Sequence, residues 1–390
     1  MWLRDEMAEI AEDVRERFAG FVREEVNPGA IERDVEGIGI PRTVLRKSAE
    51  LGLLNYSIPR ALGGGGADLF RWGVVLEELG YHCEDGSFPL VLSLHAAVAN
   101  AIHQAASPAV AERVVAPLVR GERFACFAYS DGTDAFSFRS TAKKKGDRYL
   151  LDGDKQMVTG GLEGDVFMTY VRREDNDDLA VFLIERDDPG VTIEPVEVSG
   201  FRAAGMARLR FEGVELSEER MLVPFDGISH AQLFLNDRRG LLVCGLLGRM
   251  RAIVEDVAVS VGQTMRYGRP LSELTSVQAT LGRMHVAVET ARAMAHRALH
   301  GFRHADRSSV FDPDMAVAKY YVIEQAITVA TSALRVTGGC GYMRHSNYER
   351  YLRDFHGGIA GGGAQDILEV NLGAYLSSML GRRHCRELNQ

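Results

Sequence analysis

Apolar spacing divides the chain into three zones. From residue 1 to about 120, apolar positions recur at helical spacing in "EIAEDVRERFAGFVREEV", "RTVLRKSAELGLL" and "DLFRWGVVLEELGYH". "GIGIPRT" closes one helix and opens the next, because the fixed φ of Pro41 suits a first helical turn. "PRALGGGGAD" reads as a turn-rich break. From about 121 to 228 the period shortens. "FACFAYS", "RYLLDGDKQMVT", "DVFMTYVRR", "LAVFLIER", "GVTIEPVEV" and "ARLRFEGVEL" are short β-rich runs set apart by Gly-Asp, Asp-Gly and Asp-Pro-Gly turns. No helix-length segment alternates with them, which predicts an all-β unit and not a parallel nucleotide-binding sheet. After Pro224 the helical period returns in three long runs, beginning "ISHAQLFLNDRRG", "SELTSVQATLG" and "PDMAVAKYYVI". Gly240, Gly245 and Gly248 fall inside the first of these, as expected where long helices pack closely. The expected architecture is α+β, with domains at 1–120, 121–228 and 229–390.

Composition narrows the functional classes. Of 390 residues, 46% are hydrophobic and 25% charged, as in globular proteins, and the net charge of −9 opposes binding to nucleic acid or anionic membrane. The densest basic run, Lys143-Lys144-Lys145, adjoins a Gly-Asp turn and reads as solvated. The N-terminal stretch lacks the apolar core of a signal peptide, and "GLLVCGLLG" is too short for a membrane span. Five dispersed cysteines without a CxxC pair suit a reducing cytoplasm, and the eleven histidines show no metal-ligand spacing. The expectation is a cytoplasmic protein without a metal site.

No single short motif is decisive. A G-x-G-x-x-G after a strand, a G-x-S-x-G elbow and a Walker loop are all missing. The order of six looser stretches carries more. "SAELGLLNYSIPRALGGGGAD" with "EELG", "FACFAYSDGTDAFSFRSTA", "LDGDKQMVTGG", "GFRAAGMARLRFEGVEL", "RYGRPLSELTSVQATLGRM" and "LRVTGGCGYMRHSNYERYLRD" together resemble the acyl-CoA dehydrogenases from about residue 35 to about 380. That resemblance implies a helical N-terminal domain, a central β-barrel-like domain and a C-terminal four-helix bundle, usually in a tetramer. It implies FAD as cofactor, with FMN the alternative. The substrate would be an acyl thioester of CoA or acyl carrier protein, and electrons would pass to a flavoprotein or oxygen.

A flavin ring needs an apolar face and a few fixed hydrogen bonds. Phe127 and Tyr129 share one face of their strand and Ser130 opposes it. By resemblance, Phe127, Tyr129, Ser130, Met157 and Thr159 carry flavin contacts, and Gly338, Gly339 and Gly341 approach the adenosine end across a subunit interface. Asp131 and Thr133, in a loop three residues shorter than the family's, fall at substrate-contact positions.

Several departures from the family pattern touch the cofactor. The arginine expected at the pyrophosphate falls at Thr264, the usual phenylalanine is Tyr267, and a glutamine falls at Thr275. Arg335 replaces a second glutamine and offers a guanidinium to the phosphates in compensation. Ala364 and Asp366 stand where the family has threonine and glutamine ligands.

The largest departure is "IAGGGAQDI". By resemblance the catalytic glutamate falls at Gly362, and glycine cannot take a proton. The alternative base position on the first C-terminal helix is Arg238, with Arg239 at the family's arginine. Asp237, about 100° around that helix, is the candidate relocated base. Three readings follow: a thioester dehydrogenase or oxidase with a moved base, a flavin monooxygenase with a pocket enlarged at Gly361–Gly363, or a non-catalytic member of a mixed oligomer.

Overall fold

The computed structural model describes residues 2–132, 137–303 and 309–387. The N-terminal part is helical: α1 (Trp2–Arg17), α2 (Ala19–Phe21), α3 (Ala30–Glu36), α4 (Arg42–Glu50), α5 (Leu69–His82), α6 (Ser87–Ala105) and α7 (Pro108–Val119). Pro41 precedes α4 with ψ of 138°, so it stands as an extended cap and not inside the first turn as expected. Side-chain caps start two of the helices: Asp68 accepts from the Arg71 amide of α5, and Ser107 from the Val110 amide of α7.

The middle of the chain forms an eight-stranded mixed sheet. Its strands are β1 (Ala125–Ala128), β2 (Thr141–Lys145), β3 (Arg148–Val158), β4 (Val166–Arg173), β5 (Leu179–Glu185), β6 (Val191–Pro195), β7 (Ala207–Ser217) and β8 (Met221–Val223). The order is β6-β7-β3-β2-β4-β5-β8, and β1 also pairs with β4. The β1–β4 and β2–β4 pairings are parallel and the other pairings of this sheet antiparallel.

"VFMTYV" and "LAVFLI" read as unbroken apolar runs because β4 and β5 are covered on both faces. Val166, Met168 and Tyr170 pack with residues of α6 and α7, while Phe167 and Val171 join the interior of the sheet. Strands β2 and β8 were not anticipated. The lysine run lies in β2, its three side chains exposed and its backbone paired with β3, so strong charge masked the strand.

The remaining helices are α8 (Gly227–Gln263), α9 (Thr275–Arg303), α10 (Pro313–Thr337), α11 (Gly339–Tyr342), α12 (Tyr348–Ala360) and α13 (Gln365–Glu387). Helix α8 ends at Gln263, before "RYG" at 266–268. There the chain turns back in a short hairpin, β9 (Met265–Arg266) and β10 (Arg269–Pro270), with Tyr267 at φ 52°. Gly240, Gly245 and Gly248 of α8 lie at close approaches, as expected. A Cβ on Gly248 would stand 1.8 Å from the Glu77 carbonyl oxygen, and one on Gly80 of α5 would stand 2.0 Å from that of Gly245.

The motifs around Gly200 and Asp354 dock on each other. A Cβ on Gly200 would lie 2.1 Å from the Arg353 carbonyl oxygen, and the Phe201 amide donates to Asp354 at 2.5 Å. Arg353 does not pair with Asp354. It bonds Asp34 of α3 at 2.6 Å and Glu349 at 2.7 Å, tying α12 to the N-terminal helices. Burial pushes the Asp354 carboxyl up to about 7.

Candidate active site

Strand β1 leads into an aromatic bed. The Phe127 and Tyr129 rings lie parallel at 5.7 Å, and Phe234 of α8 stacks on Phe127 at 4.6 Å. Tyr170 of β4 meets both strand rings edge-on, at 5.3 and 5.2 Å. The shared face read from the sequence is therefore formed, and α8 covers it. The fully buried Tyr170 hydroxyl lies 2.8 Å from His230 Nδ1. A sealed hydroxyl needs an acceptor, so it donates to Nδ1, and Nε2 of the neutral ring carries the proton. Burial lowers the His230 pKa and keeps the ring neutral.

A bulge in β3, between Lys155 and Val158, presents the next group. Met157 takes φ 57°, and the Gln156 amide donates to the Ser130 carbonyl at 2.6 Å, joining β3 to the end of β1. Ser130 and Met157 are exposed and Thr159 is half-buried, so the three form an accessible rim beside the bed.

Beneath that rim Lys155, with no exposed surface, bonds Asp131 at 3.1 Å and the Tyr129 carbonyl at 3.2 Å. Burial brings the Lys155 pKa down to about 8 even with Asp131 beside it. Asp131 also accepts from the Ser140 amide at 2.7 Å. Asp131 was expected to touch substrate. Asp131 is instead 2% exposed, with Oδ2 bonded to Lys155 and to the Arg139 and Ser140 amides. Thr133 lies outside the described residues.

The glycine triple forms the turn between α12 and α13. Gly361 ends α12, and Gly362 and Gly363 take φ of 70° and 99°. Two buried cations hold the turn by its carbonyls. Arg239 Nε donates to Gly362 at 3.1 Å, and Lys319 Nζ donates to Ile359 at 3.1 Å and Gly363 at 2.9 Å. The other Arg239 donors meet Asn236 and Gln232, at 2.8 and 2.9 Å. Burial, with Arg239 nearby, lowers Lys319 to about 8, and burial lowers Arg239 to about 10. Neither cation has a carboxylate within ion-pair reach among the described residues; their bonds go to the carbonyls of the turn and to Asn236 and Gln232.

Asp237 lies elsewhere. Two residues before Arg239, it points about 160° away around α8. It lines a cavity of about 390 Å³ between α5, α6 and α8, whose wall also includes Trp72, Asn100, His230, Phe234 and Leu241. The structure thus separates Asp237 from the glycine triple and joins it, through His230 and Phe234, to the aromatic bed. Arg238 is buried and donates both Nη atoms to Ser93, at 2.8 and 2.9 Å. No lysine or arginine lines the cavity among the described residues.

The residues expected at the adenosine end stay on the surface. Tyr267 is 91% exposed, and Arg335, Gly338, Gly339, Ala364 and Asp366 are exposed. Gly341 is buried, where a Cβ would strike the Thr337 hydroxyl at 1.9 Å. Thr264 bonds back to Ser260 at 2.8 Å and supplies no cation. The ring end suits a flavin. The half-buried Thr159 hydroxyl, whose contact is Met206 sulfur at 3.9 Å, is a donor such a ring can use, beside the accessible rim of Ser130 and Met157. Sequence reasoning missed His230, Tyr170, Lys155 and Lys319. The signal for Lys319 was a lone charge in the apolar period of "AVAKYYVI".

Comparison with known proteins agrees along most of the chain. The acyl-CoA dehydrogenase N-terminal, middle and C-terminal domain models match residues 8–122, 126–214 and 226–376. The mitochondrial short-chain specific acyl-CoA dehydrogenase of Rattus norvegicus is 30% identical over 359 residues, 90% of this chain and 85% of its own. Benzylmalonyl-CoA dehydrogenase of Aromatoleum aromaticum is 27% identical, covering 94% of this chain and 97% of its own. The butyryl-CoA dehydrogenase structure from Megasphaera elsdenii superposes with a TM-score of 0.87 at 25% identity, covering 94% of this chain and 98% of that one. The prolyl acyl carrier protein oxidase AnaB shares the fold at a TM-score of 0.87 and 24% identity, covering 95% and 98%.

Proposed function

The chain belongs to the acyl-CoA dehydrogenase family, and from that premise we propose an FAD-dependent oxidation of an acyl thioester in which Asp237 replaces the missing glutamate as base. The observation that carries this reading is the cavity. It is bounded by the aromatic bed at one end and holds the Asp237 carboxylate in its wall, whereas Gly362 offers no side chain.

When bound, FAD supplies the two-electron acceptor for the β-hydride. The protein's own part begins with the thioester entering between α5, α6 and α8. Asp237 accepts the α-proton, and the buried Arg238 beside it in the chain is held by Ser93. The His230 Nε2–H, held by Tyr170, stands as a hydrogen-bond donor where the cavity meets the bed. Arg239 and Lys319 keep the glycine turn in place from below. CoA or a carrier protein bears the acyl group, and a flavoprotein or oxygen takes the electrons. Exposed Tyr267, Gly338 and Gly339 suit a cofactor end completed by a second copy, in a dimer or tetramer.

The test is anaerobic stopped-flow reduction of the purified holoenzyme by a panel of acyl thioesters. Bleaching is expected with the wild type, slowed at least about 100-fold in Asp237→Asn at unchanged flavin content. Equal rates for the two proteins would remove Asp237 from the role. Oxygen consumption driven by reduced flavin, without thioester bleaching, would favour the monooxygenase reading.

A further inference from the structure

The segment 196–206, between β6 and β7, is fastened to α12 on one side and to the rim of the candidate site on the other. At α12 the Phe201 amide donates to Asp354 Oδ1 at 2.5 Å, and Arg353 Nη1 donates to the Ser199 carbonyl at 2.7 Å. At the rim the Gly160 amide donates to the Ala204 carbonyl at 2.8 Å and the Leu162 amide to that of Gly205 at 3.1 Å, while the Thr159 hydroxyl meets Met206 sulfur. Phe201, between the two attachments, takes φ 50°, a strained value for a residue with a Cβ, which its surroundings must enforce.

Asp354 differs from the carboxylates around it. Asp85 bonds Arg33 at 2.8 Å and Asp34 bonds Arg353 at 2.6 Å, whereas Asp354, 4% exposed, has no cation within ion-pair reach among the described residues. Arg350, one turn earlier on α12, sends Nη2 to the Glu84 carbonyl at 2.8 Å. Arg202 of the segment bonds the Asp34 and Val35 carbonyls of α3, Glu84 accepts from Asn347, and Glu349 is taken by Arg353. A Cβ on Gly86 would lie 3.1 Å from Asp354 Oδ2, so the start of α6 closes over the carboxyl. Burial, with Asp85 and Asp34 nearby, outweighs the Phe201 bond and Arg350, and the proton leaves only near pH 7.

We propose that Asp354 is a proton switch for this segment: protonated, it keeps 196–206 docked on α12, and ionised, it loosens the segment and with it the rim at Thr159. An ionised Asp354 in the closed site has neither water nor a paired cation, and opening the segment admits water and relieves it. The folded pKa lies above the ordinary 3.8, so the contact is at full strength below that value. It then weakens by up to about tenfold per pH unit until the folded value is passed, and nothing more is lost above about pH 8.

The test is hydrogen-exchange mass spectrometry of the holoenzyme from about pH 5 to about pH 9, corrected for the intrinsic effect of pH on exchange. In the wild type, opening of 196–206 should rise at least about tenfold from about pH 5 to about pH 7 and then level off, with 158–163 following it. Asp354→Asn, checked by circular dichroism, keeps an acceptor for the Phe201 amide and cannot ionise, so its profile should be flat. Asp85→Asn removes a like charge and should move the wild-type midpoint to lower pH, which keeps the proposal testable if Asp354→Asn fails to fold. A flat wild-type profile, the same rise in Asp354→Asn, or an unmoved midpoint in Asp85→Asn would overturn the proposal. A change at 196–206 that leaves 158–163 untouched would overturn it too. No thioester enters the measurement, so failure of thioesters to bleach the flavin would count against the thioester reading alone.

Discussion

At the scale of single residues, position 362 is open and chemically prepared. A Cβ there would meet Leu242 at 3.6 Å and Arg239 at 3.7 Å, ordinary contacts, although φ of 70° strains any side chain. Gly362→Glu should therefore fold with a loss of about 1–2 kcal/mol, read by urea unfolding. The new carboxylate would find Arg239 and Lys319 without an ionic partner among the described residues. In the Asp237→Asn background it should restore flavin reduction at least about tenfold, measured by stopped flow. Lys155 makes the opposite case. Lys155→Met leaves Asp131 buried and unpaired, which should cost about 3–5 kcal/mol, and Asp131→Asn in the same chain should recover part of it. Chain order and spacing were enough to name Asp237 and Gly362. That Asp131 turns inward was not legible, because its partner Lys155 is 24 residues away and belongs to another strand.

At the scale of elements, one buried carboxylate joins three helices. Glu77 of α5 meets His296 and Arg292 of α9 at 2.6 Å each, and Arg251 of α8 at 3.1 Å. Burial alone would raise its pKa. The hydrogen bond and charge of His296, then Arg292 and Arg251, win and hold it down at about 2. The folded pKa lies below the ordinary 4.5, so this contribution is complete above about pH 4.5 and disappears as pH falls towards 2. It amounts to about 3 kcal/mol. Glu77→Gln should be less stable than wild type at pH 7, and the gap should narrow by pH 3 in denaturant titrations. The α5–α8 crossing offers a separate check. Gly248→Ala must push its Cβ away from the Glu77 carbonyl, and a loss of about 1–3 kcal/mol is expected in thermal unfolding. Element types were readable because the apolar period differs between helix and strand. Strand β2 escaped because three exposed lysines hide the pattern, and the β9–β10 turn after α8 is set by backbone pairing.

At the scale of the whole molecule, the surface expects company. Among residues 365–379 of α13 only Gln365 and Leu368 are buried, and Val370, Leu376 and Met379 stay exposed. Tyr267 and Tyr342, 91% and 81% exposed, add aromatic surface near the hairpin and the glycine-rich turn. Light scattering on the holoenzyme should give a dimer or tetramer, and Leu376→Asp should weaken it. Among the described residues no helix is long and apolar enough to cross a membrane. The sequence by itself determined the order of helical, β and helical zones and the family, since periodicity, turn chemistry and motif order are local or linear properties. Only the tertiary structure decided that Arg239 and Asp237 serve opposite faces of α8, and that Lys319 comes from α10 to hold the glycine turn. It also decided that Trp72 and Asn100 share a cavity wall with Asp237. Which side chains meet across α5, α6, α8 and α10 depends on how the helices rotate and cross, and that is set by packing between segments far apart in the chain.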